Sequence, residues 1–335
     1  MTDVANIVVA PPAASVPRSP WRQCLLWFWV LLLAIGVLAP LVANEVPLMA
    51  RVEGKWSFPA FADLFGRPGA GPQDLSWKQW WARLPADSED LAVMPPWSFG
   101  PEETDVTRAR LRPTMSHWLG CDDTGRDVLA RLIHGLRTIV WLGVPAVLLG
   151  AFIGTLLGAW AGCRAGIADV VVARLVEVFV CFPPLLFLLF VSAFFGDSRL
   201  GLVLVMASVF WTSFARIVRG EVLSLRERDF VHVARGLGVS EWRLVTRHLL
   251  PLVRSQIGVT AAFCMASAVV AESTLSFLGL GPGDVASSWG TMLRQGSDLA
   301  VVGVWHLWLF PALAIVGVVV SCHLLADRLR ARTAV

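Results

Sequence analysis

The chain has 335 residues, 56% of them hydrophobic and only 16% charged, with a mean hydropathy of +0.65. An ordinary soluble domain carries roughly 25% charged residues, so the composition argues against a wholly soluble protein. The formal net charge of +3, from 28 Lys and Arg against 25 Asp and Glu, is too weak an excess for a nucleic-acid footprint. Lys55 and Lys78 are the only lysines, and there are 16 Trp but no Tyr, a usage that suits the aromatic belt of a membrane interface. Cys24, Cys121, Cys163, Cys181, Cys264 and Cys322 are scattered, without a CxxC pair. They read as small packing residues rather than as a zinc or disulfide framework.

Residues 1–23 are rich in Ala and Pro and read as a disordered tail. The apolar run 24–43 follows Arg18 and Arg22 as the h-region of a secretory signal would. It is too long for one, and no small-residue cleavage site precedes Asn44 and Glu45, so an uncleaved anchor is expected. Residues 44–138 read as an extracytoplasmic insert, punctuated by Gly66, Pro68, Gly69, Gly71, Pro72, Pro95, Pro96 and Pro101. Trp56, Trp77, Trp80, Trp81 and Trp97 are expected to pack that insert or to rest on the membrane, in preference to forming a ligand patch.

The insert ends in LGCDDTGRDVLARLIHGLRTIVWLG. Thr124 and Asp127 give a capping-box spacing, which predicts a helix from about Gly125. Val128, Leu129, Leu132, Ile133 and Leu136 share one side of it. Asp127, Arg131, His134 and Arg137 fall largely on the other, a pattern suited to a helix lying along the interface.

About 20 apolar residues cross the hydrocarbon core as a helix. Besides 24–43, five runs qualify: 139–163, 170–195, 200–218, 252–273 and 299–326, giving six expected spans. Cytoplasmic loops retain basic residues. The arginines at 18, 22, 164, 328, 330 and 332, with the cluster from Arg216 to Arg254, therefore place both termini in the cytoplasm. In the second span Gly150, Gly154, Gly158 and Gly162 recur every four residues and form a groove for another helix, either a subunit seam or packing within the bundle. Pro183 and Pro184 remove consecutive amide donors and should kink or break the third span, as helices that line pathways are often broken. Glu272 is the acidic group most costly at membrane depth; it either faces a pathway or marks the wet end of the fifth span.

On the cytoplasmic side, residues 221–251 read EVLSLRERDFVHVARGLGVSEWRLVTRHLLP. Two short helices are expected: one capped by Asp229, a turn at Gly236 and Gly238, and a second capped by Ser240 that runs until Pro251. The apolar face of Phe230, Val233, Ala234 and Leu237, beside Arg235, suits a groove on a soluble partner.

This stretch resembles the EAA loop of binding-protein-dependent ABC transporter permeases, above all the dipeptide, oligopeptide and nickel branch. Asp229, Phe230, Val231, Ala234, Leu237, Gly238, Ser240, Arg247, His248 and Pro251 fall in register. His232, Val233, Gly236 and Val239 depart from the pattern, His232 and Val233 standing where the family name has Glu and Ala. LGCDDTGRDVLARLIHG and AESTLSFLGLG, from Ala271 to Gly281, also resemble that branch. NEVPLMARVEGKWSFPAF is similar to the microcin C and oligopeptide subgroup with its long external insert.

The resemblance implies an all-α membrane protein with the type I importer permease fold. Its core is 139–326, its coupling loop 221–251, and 327–335 is a cytoplasmic tail. It further implies a second permease subunit, two ATP-binding subunits carrying ATP and Mg, and an extracytoplasmic peptide-binding protein, with no cofactor on this chain. The chain itself contains no GxxxxGK[ST] phosphate loop, in keeping with ATP hydrolysis elsewhere. A nickel chelate is the alternative substrate. An intramembrane enzyme is disfavoured because His232, His248, His306 and His323 lie apart and no GxSxG or HExxH occurs. A stand-alone ion-coupled transporter would carry several intramembrane charges, where only Glu272 suggests one.

Overall fold

A computed structural model describes residues 21–65, 76–83, 90–164, 166–195, 198–281 and 287–331. The first 20 residues of the expected tail, the turn residues Gly66 to Pro72 and the final four residues lie outside these. Among the described residues, four helices are long and apolar enough to cross a membrane, and a bent pair makes a fifth candidate. They are α5 (Val128–Arg164), α8 (Arg199–Arg226), the continuous segment Glu241–Phe277, and α13 (His306–Ala331). The bent pair is α6 (Ile167–Cys181) and α7 (Pro184–Phe195), which meet at 85° across Phe182 and Pro183. Two successive prolines remove the amide donors that would continue the ladder, so the break falls where the backbone bonding fails. The apolar run at 24–43 forms α1 (Trp21–Val37) and one further turn, α2 (Ala39–Val42), opened by Pro40.

The densest contact in the molecule is between α5 and α8. Gly150 meets Phe210, Gly154 meets the Trp211 carbonyl and Phe214, Gly158 meets Ala215, and Gly162 meets Val222. A Cβ at Gly150 would stand 2.9 Å from that of Phe210. The four-residue glycine repeat is therefore filled by this chain's own α8. In lipid, where no hydrophobic force separates helix from solvent, such close backbone approach is what holds helices together. The main core then gathers Leu142 and Val147 of α5, Val205, Met206 and Phe214 of α8, Cys264 to Leu275 of α11 (Leu250–Phe277), and Val318 and Cys322 of α13. On α1, Trp29 joins it and donates from Nε1 to the Ser321 carbonyl at 3.4 Å.

Several expected boundaries move. No separate interfacial helix precedes the second span: α5 runs unbroken for 37 residues, about 55 Å at 1.5 Å per residue. The last span begins at His306 rather than 299, because Trp289–Ala300 forms a separate short helix, α12, closed by Ser288 and Thr291 in a capping box. Pro251 does not end the second loop helix. Glu241–Arg243 passes through a wide turn at Leu244–Leu249 straight into α11, with the Leu250 N–H returning five residues to the Val245 carbonyl. Proline lacks the donor that a regular turn would need at 251, and the widened turn ahead of it absorbs the fault.

The segment between α2 and α5 holds more order than its turn residues suggest. Three short antiparallel strands, β1 (Met49–Val52), β2 (Lys55–Ser57) and β3 (Leu91–Val93), pair in the order β2-β1-β3. Ala50 pairs with Ser57 on one side and Ala92 on the other. Trp77 and Trp80 of α4 (Trp77–Ala82) cover this alanine face, edge to face at 5.7 Å. Trp77 and Trp80 therefore pack the insert, whereas Trp56 and Trp81 are exposed.

Candidate functional site: the loop helix and the membrane junctions

Two places concentrate the residues singled out above. The first is α9 (Asp229–Gly236), hung between α8 and the wide turn that starts α11. Asp229 is its first helical residue rather than its cap; Arg228 takes the cap position with no side-chain bond, so the expected Asp229 cap is not formed. Gly238 adopts φ +78 with no atom within 4 Å of a Cβ built there. The turn requires the left-handed backbone and sets no steric limit of its own. Gly236, expected in the turn, is the last residue of the helix. Ser240 precedes Glu241–Arg243 with extended backbone but makes no capping bond.

The two sides of α9 differ sharply. Val231 is fully buried in a cluster with Ala159 and Cys163 of α5, Val218 and Val222 of α8, and Leu244, Val245 and Leu249 of the wide turn. Phe230, Val233 and Leu237 lie on the other side and are exposed, Leu237 to 79%. Ala234, half-buried, packs against the Val231 cluster at the edge of this face, and His232 is exposed. Arg235 donates from Nε to Glu241 at 3.0 Å, tying the end of α9 to the start of the next helix. Val231, with Ala234 packed beside it, thus fixes the helix to both α5 and α8, while the apolar face of Phe230, Val233 and Leu237 is bare. An apolar helix face of this kind is one that a groove on another protein can accept.

The second place is the entry to α5. Asp127, not Thr124, caps this helix: its Oδ1 accepts the Ala130 N–H at 2.8 Å and the Trp97 indole N–H at 2.9 Å, and its Oδ2 pairs with His117 Nδ1 at 2.7 Å. Asp122 Oδ1 accepts from the backbone N–H of Thr124 and of Arg126, each at 2.9 Å. Gly125 closes this turn with φ +83, and a Cβ there would strike the Asp105 backbone. Asp122 Oδ2 receives Arg126 Nε at 2.7 Å and a guanidinium N–H of Arg131 at 2.5 Å. Burial pushes the Asp122 carboxyl up, but Arg131, Arg126 and the backbone bonds together outweigh it and hold the group below the usual carboxylate range.

The polar side of this helix is therefore covered, not wet. Arg131 is 1% exposed and also reaches Gln295 of α12 at 2.9 Å, and buried His134 bonds the Ala43 carbonyl at 2.8 Å. The expected surface-lying helix is overturned, because residues 97–127 and the end of α2 fold over its charged side and satisfy it. Burial beside Asp127 and Asp122 pushes the Cys121 thiol up to about 12, which leaves it an inert packing group. Cys163, Cys264 and Cys322 are buried too, and Cys181 is exposed.

Glu272 is 3% exposed. Helix α11 continues past it to Phe277, so the reading of Glu272 as the wet end of a span is overturned. Its oxygens accept from Ser276 at 2.8 Å and Ser273 at 3.5 Å. The gap beside it, bounded by Leu142, Leu202, Met206, Leu275 and Gly281, leaves no room for a water molecule. Pro183 and Pro184 stand at the bend between α6 and α7 and do not line this gap. What the sequence did not single out is the bidentate pair of Arg219 in α8 and Asp169 in α6. A lone Arg and Asp 50 residues apart carry no local pattern.

A multi-pass helical membrane protein with one exposed loop helix defines the class. Residues 154–335 match the model of the binding-protein-dependent transport system inner membrane component. A protein of Brucella suis biovar 1, provisionally named a peptide transport system permease protein, is 35% identical over 241 residues, 71% of this chain and 81% of its own. The glutathione transport system permease protein of Pectobacterium atrosepticum is 36% identical over 227 residues, 68% of this chain and 75% of its own. A protein of Brucella ovis, provisionally named a peptide permease protein, is 36% identical over 234 residues, 69% and 77% of the two chains. The chain belongs to the binding-protein-dependent transport system inner membrane components, in the peptide branch of ABC transporter permeases.

Proposed function

We propose that this chain is the permease subunit of an ATP-driven importer of peptides, set in the bacterial cytoplasmic membrane with both termini in the cytoplasm. The observation that carries the reading is α9, anchored by Val231 to α5 and α8 while Phe230, Val233 and Leu237 remain bare. In this reading the bare face, with His232, Ala234 and Arg235 around it, enters a cleft of an ATP-binding subunit. Gly238, Ser240 and Pro251 shape the chain that returns from that cleft into the membrane. Closure of two such ATP-binding subunits on ATP and Mg would move α9, and through Val231 the helices α5 and α8, alternating access across the membrane.

The same reading makes α1 a sixth span beside the five in the described core, in a type I importer fold. It pairs the chain with a second permease and gives peptide delivery to an extracytoplasmic binding protein. Pro183, Pro184 and Glu272 would border the pathway in another state of the cycle, because the gap at Glu272 is shut in this one. The names of the relatives support a peptide substrate.

The test is purification of the tagged chain in mild detergent, with identification of its companions and an ATPase assay. A second permease and an ATP-binding subunit are expected, with the ATPase lost on Ala234→Arg, which places a charge at the edge of the bare face. An active chain purified alone overturns the proposal.

A further inference from the structure

We infer that the short helix α3 (Pro59–Leu64) and its flanks form an aromatic anchor seated in the interfacial zone of the lipid bilayer, on the side of the membrane that carries the 44–127 segment. The helix is turned inside out relative to a soluble one. Pro59 and Ala60 are buried against the chain, and Asp63 accepts from the Asn44 side chain at 2.7 Å. The opposite side presents Phe58, Phe61 and Phe65, at the i, i+3 and i+7 spacing of one helical face. All three are exposed, Phe65 to 82%, and Phe58 and Phe61 stack edge to face at 6.2 Å.

What covers this face follows from its height. Arg137 of α5 donates to the Leu64 carbonyl at 2.9 Å and to that of Asp63 at 3.3 Å, pinning the end of α3 to the long helix. Arg137 lies 27 residues before Arg164, the last residue of α5. At 1.5 Å per residue the separation is about 40 Å, the thickness of a bilayer including its headgroups. With Arg164 at one interface, Arg137 and α3 stand at the other.

The first span gives the same level independently. Ala43, which follows α2 at the end of this span, offers its carbonyl to His134, one turn from Arg137. Exposed apolar residues bracket this tier on the spans themselves, Val37 and Leu38 at the end of α1 and Trp141 on α5. The phenylalanine face thus continues a surface that already meets lipid. Aromatic rings are favoured at the headgroup level, and exposing three of them to water beside such a surface would forfeit that burial.

The experiment replaces Phe61 or Phe65 by p-benzoylphenylalanine in the full assembled complex, held in nanodiscs of phosphatidylethanolamine and phosphatidylglycerol. Irradiation is followed by mass spectrometry of the labelled peptide. The same group at Trp141 reports the span, and at Met115, which is 96% exposed in the loop ahead of α5, it reports the aqueous side. Lipid adducts at Phe61 and Phe65 comparable with that at Trp141, with none at Met115, are the expected result. Adducts to a partner protein, or none at Phe61 and Phe65 while Trp141 captures lipid, overturn the anchor and leave the permease reading standing. Absence of lipid at Trp141 as well overturns the span, and the anchor with it.

Discussion

Arg219 of α8 grips Asp169 of α6 with two N–H groups, Nε on Oδ1 and a terminal nitrogen on Oδ2 at 2.8 Å. The pair closes the α5–α6 corner onto the same stretch of α8 whose Val218 and Val222 hold Val231 of the loop helix. It is partly exposed, so its stability contribution is modest, but its planar fork fixes an angle between helices. Lysine carries the charge without the fork. Arg219→Lys and Asp169→Asn are each expected to lower the thermal stability of the purified protein slightly. A double-mutant cycle should give a coupling of about 1 kcal/mol. A coupling of zero would show that the two groups merely sit together.

The close approach of α5 and α8 gives an internally controlled prediction. At Gly154 an added methyl would meet the Trp211 carbonyl and the Phe214 Cβ, neither of which is the free end of a side chain, whereas at Gly220 of α8 nothing lies within 4 Å. Gly154→Ala should force the helices apart, at a cost of about 1–3 kcal/mol for overpacking, and reduce the folded yield. Gly220→Ala should leave the yield unchanged or raise it, since alanine is the better helix former by about 1 kcal/mol. Fluorescence-detected size-exclusion chromatography of the two variants reads this directly. Equal behaviour would mean that the stripe is not under steric limit.

These cases show where the sequence was legible. Apolar length marked the spans, the glycine repeat marked the tightest helix contact, and the proline pair marked the bend, because each acts through the local backbone. The loop helix was readable for the same reason, through Gly238 and the spacing of Phe230, Val233 and Leu237. Helix α5 misled because its start carries charges at helical spacing, and periodicity reports which residues share a face but not what covers that face. That spacing sets Arg131 and His134 on the polar side. Only the return of Asp122 and Ala43 over them, across 9 and 91 residues, shows that they are buried. The three-stranded sheet was missed because its strands of three and four residues are too short to display an alternation.

The Asp122 cluster is expected to behave as a buried charge set. Removing one member leaves the other desolvated and uncompensated, at a cost of about 3–5 kcal/mol. Asp122→Ala should therefore unseat the first turn of α5, read as faster hydrogen exchange over Val128 to Arg131. The pH dependence follows from the direction of the shift. A carboxyl held below its unfolded value contributes stability that is complete above that value, near pH 4, and lost as pH falls through the lower native one. Protection of these amides should decline only as the pH falls below about 4 in the native protein. In Asp122→Asn it should be reduced already at pH 7 and lack this step.

Gly238 separates folding from coupling. Its positive φ excludes branched side chains, while the empty space around it means that no neighbour is displaced by a larger one. Asparagine visits the left-handed region more readily than valine does, for which the conformation costs about 1–2 kcal/mol. The turn lies at the end of α9, far along the chain from the glycine contacts that hold the bundle, so membrane insertion should survive any substitution here. The expected order of ATP-dependent uptake is glycine above Gly238→Asn above Gly238→Val, with equal amounts of the three proteins in the membrane. Gly238→Asp, which adds a charge beside the bare face, should abolish uptake at that same level of insertion. Full uptake by both Gly238→Val and Gly238→Asp would mean that the orientation of α9 does not transmit the work of the ATP-binding subunits.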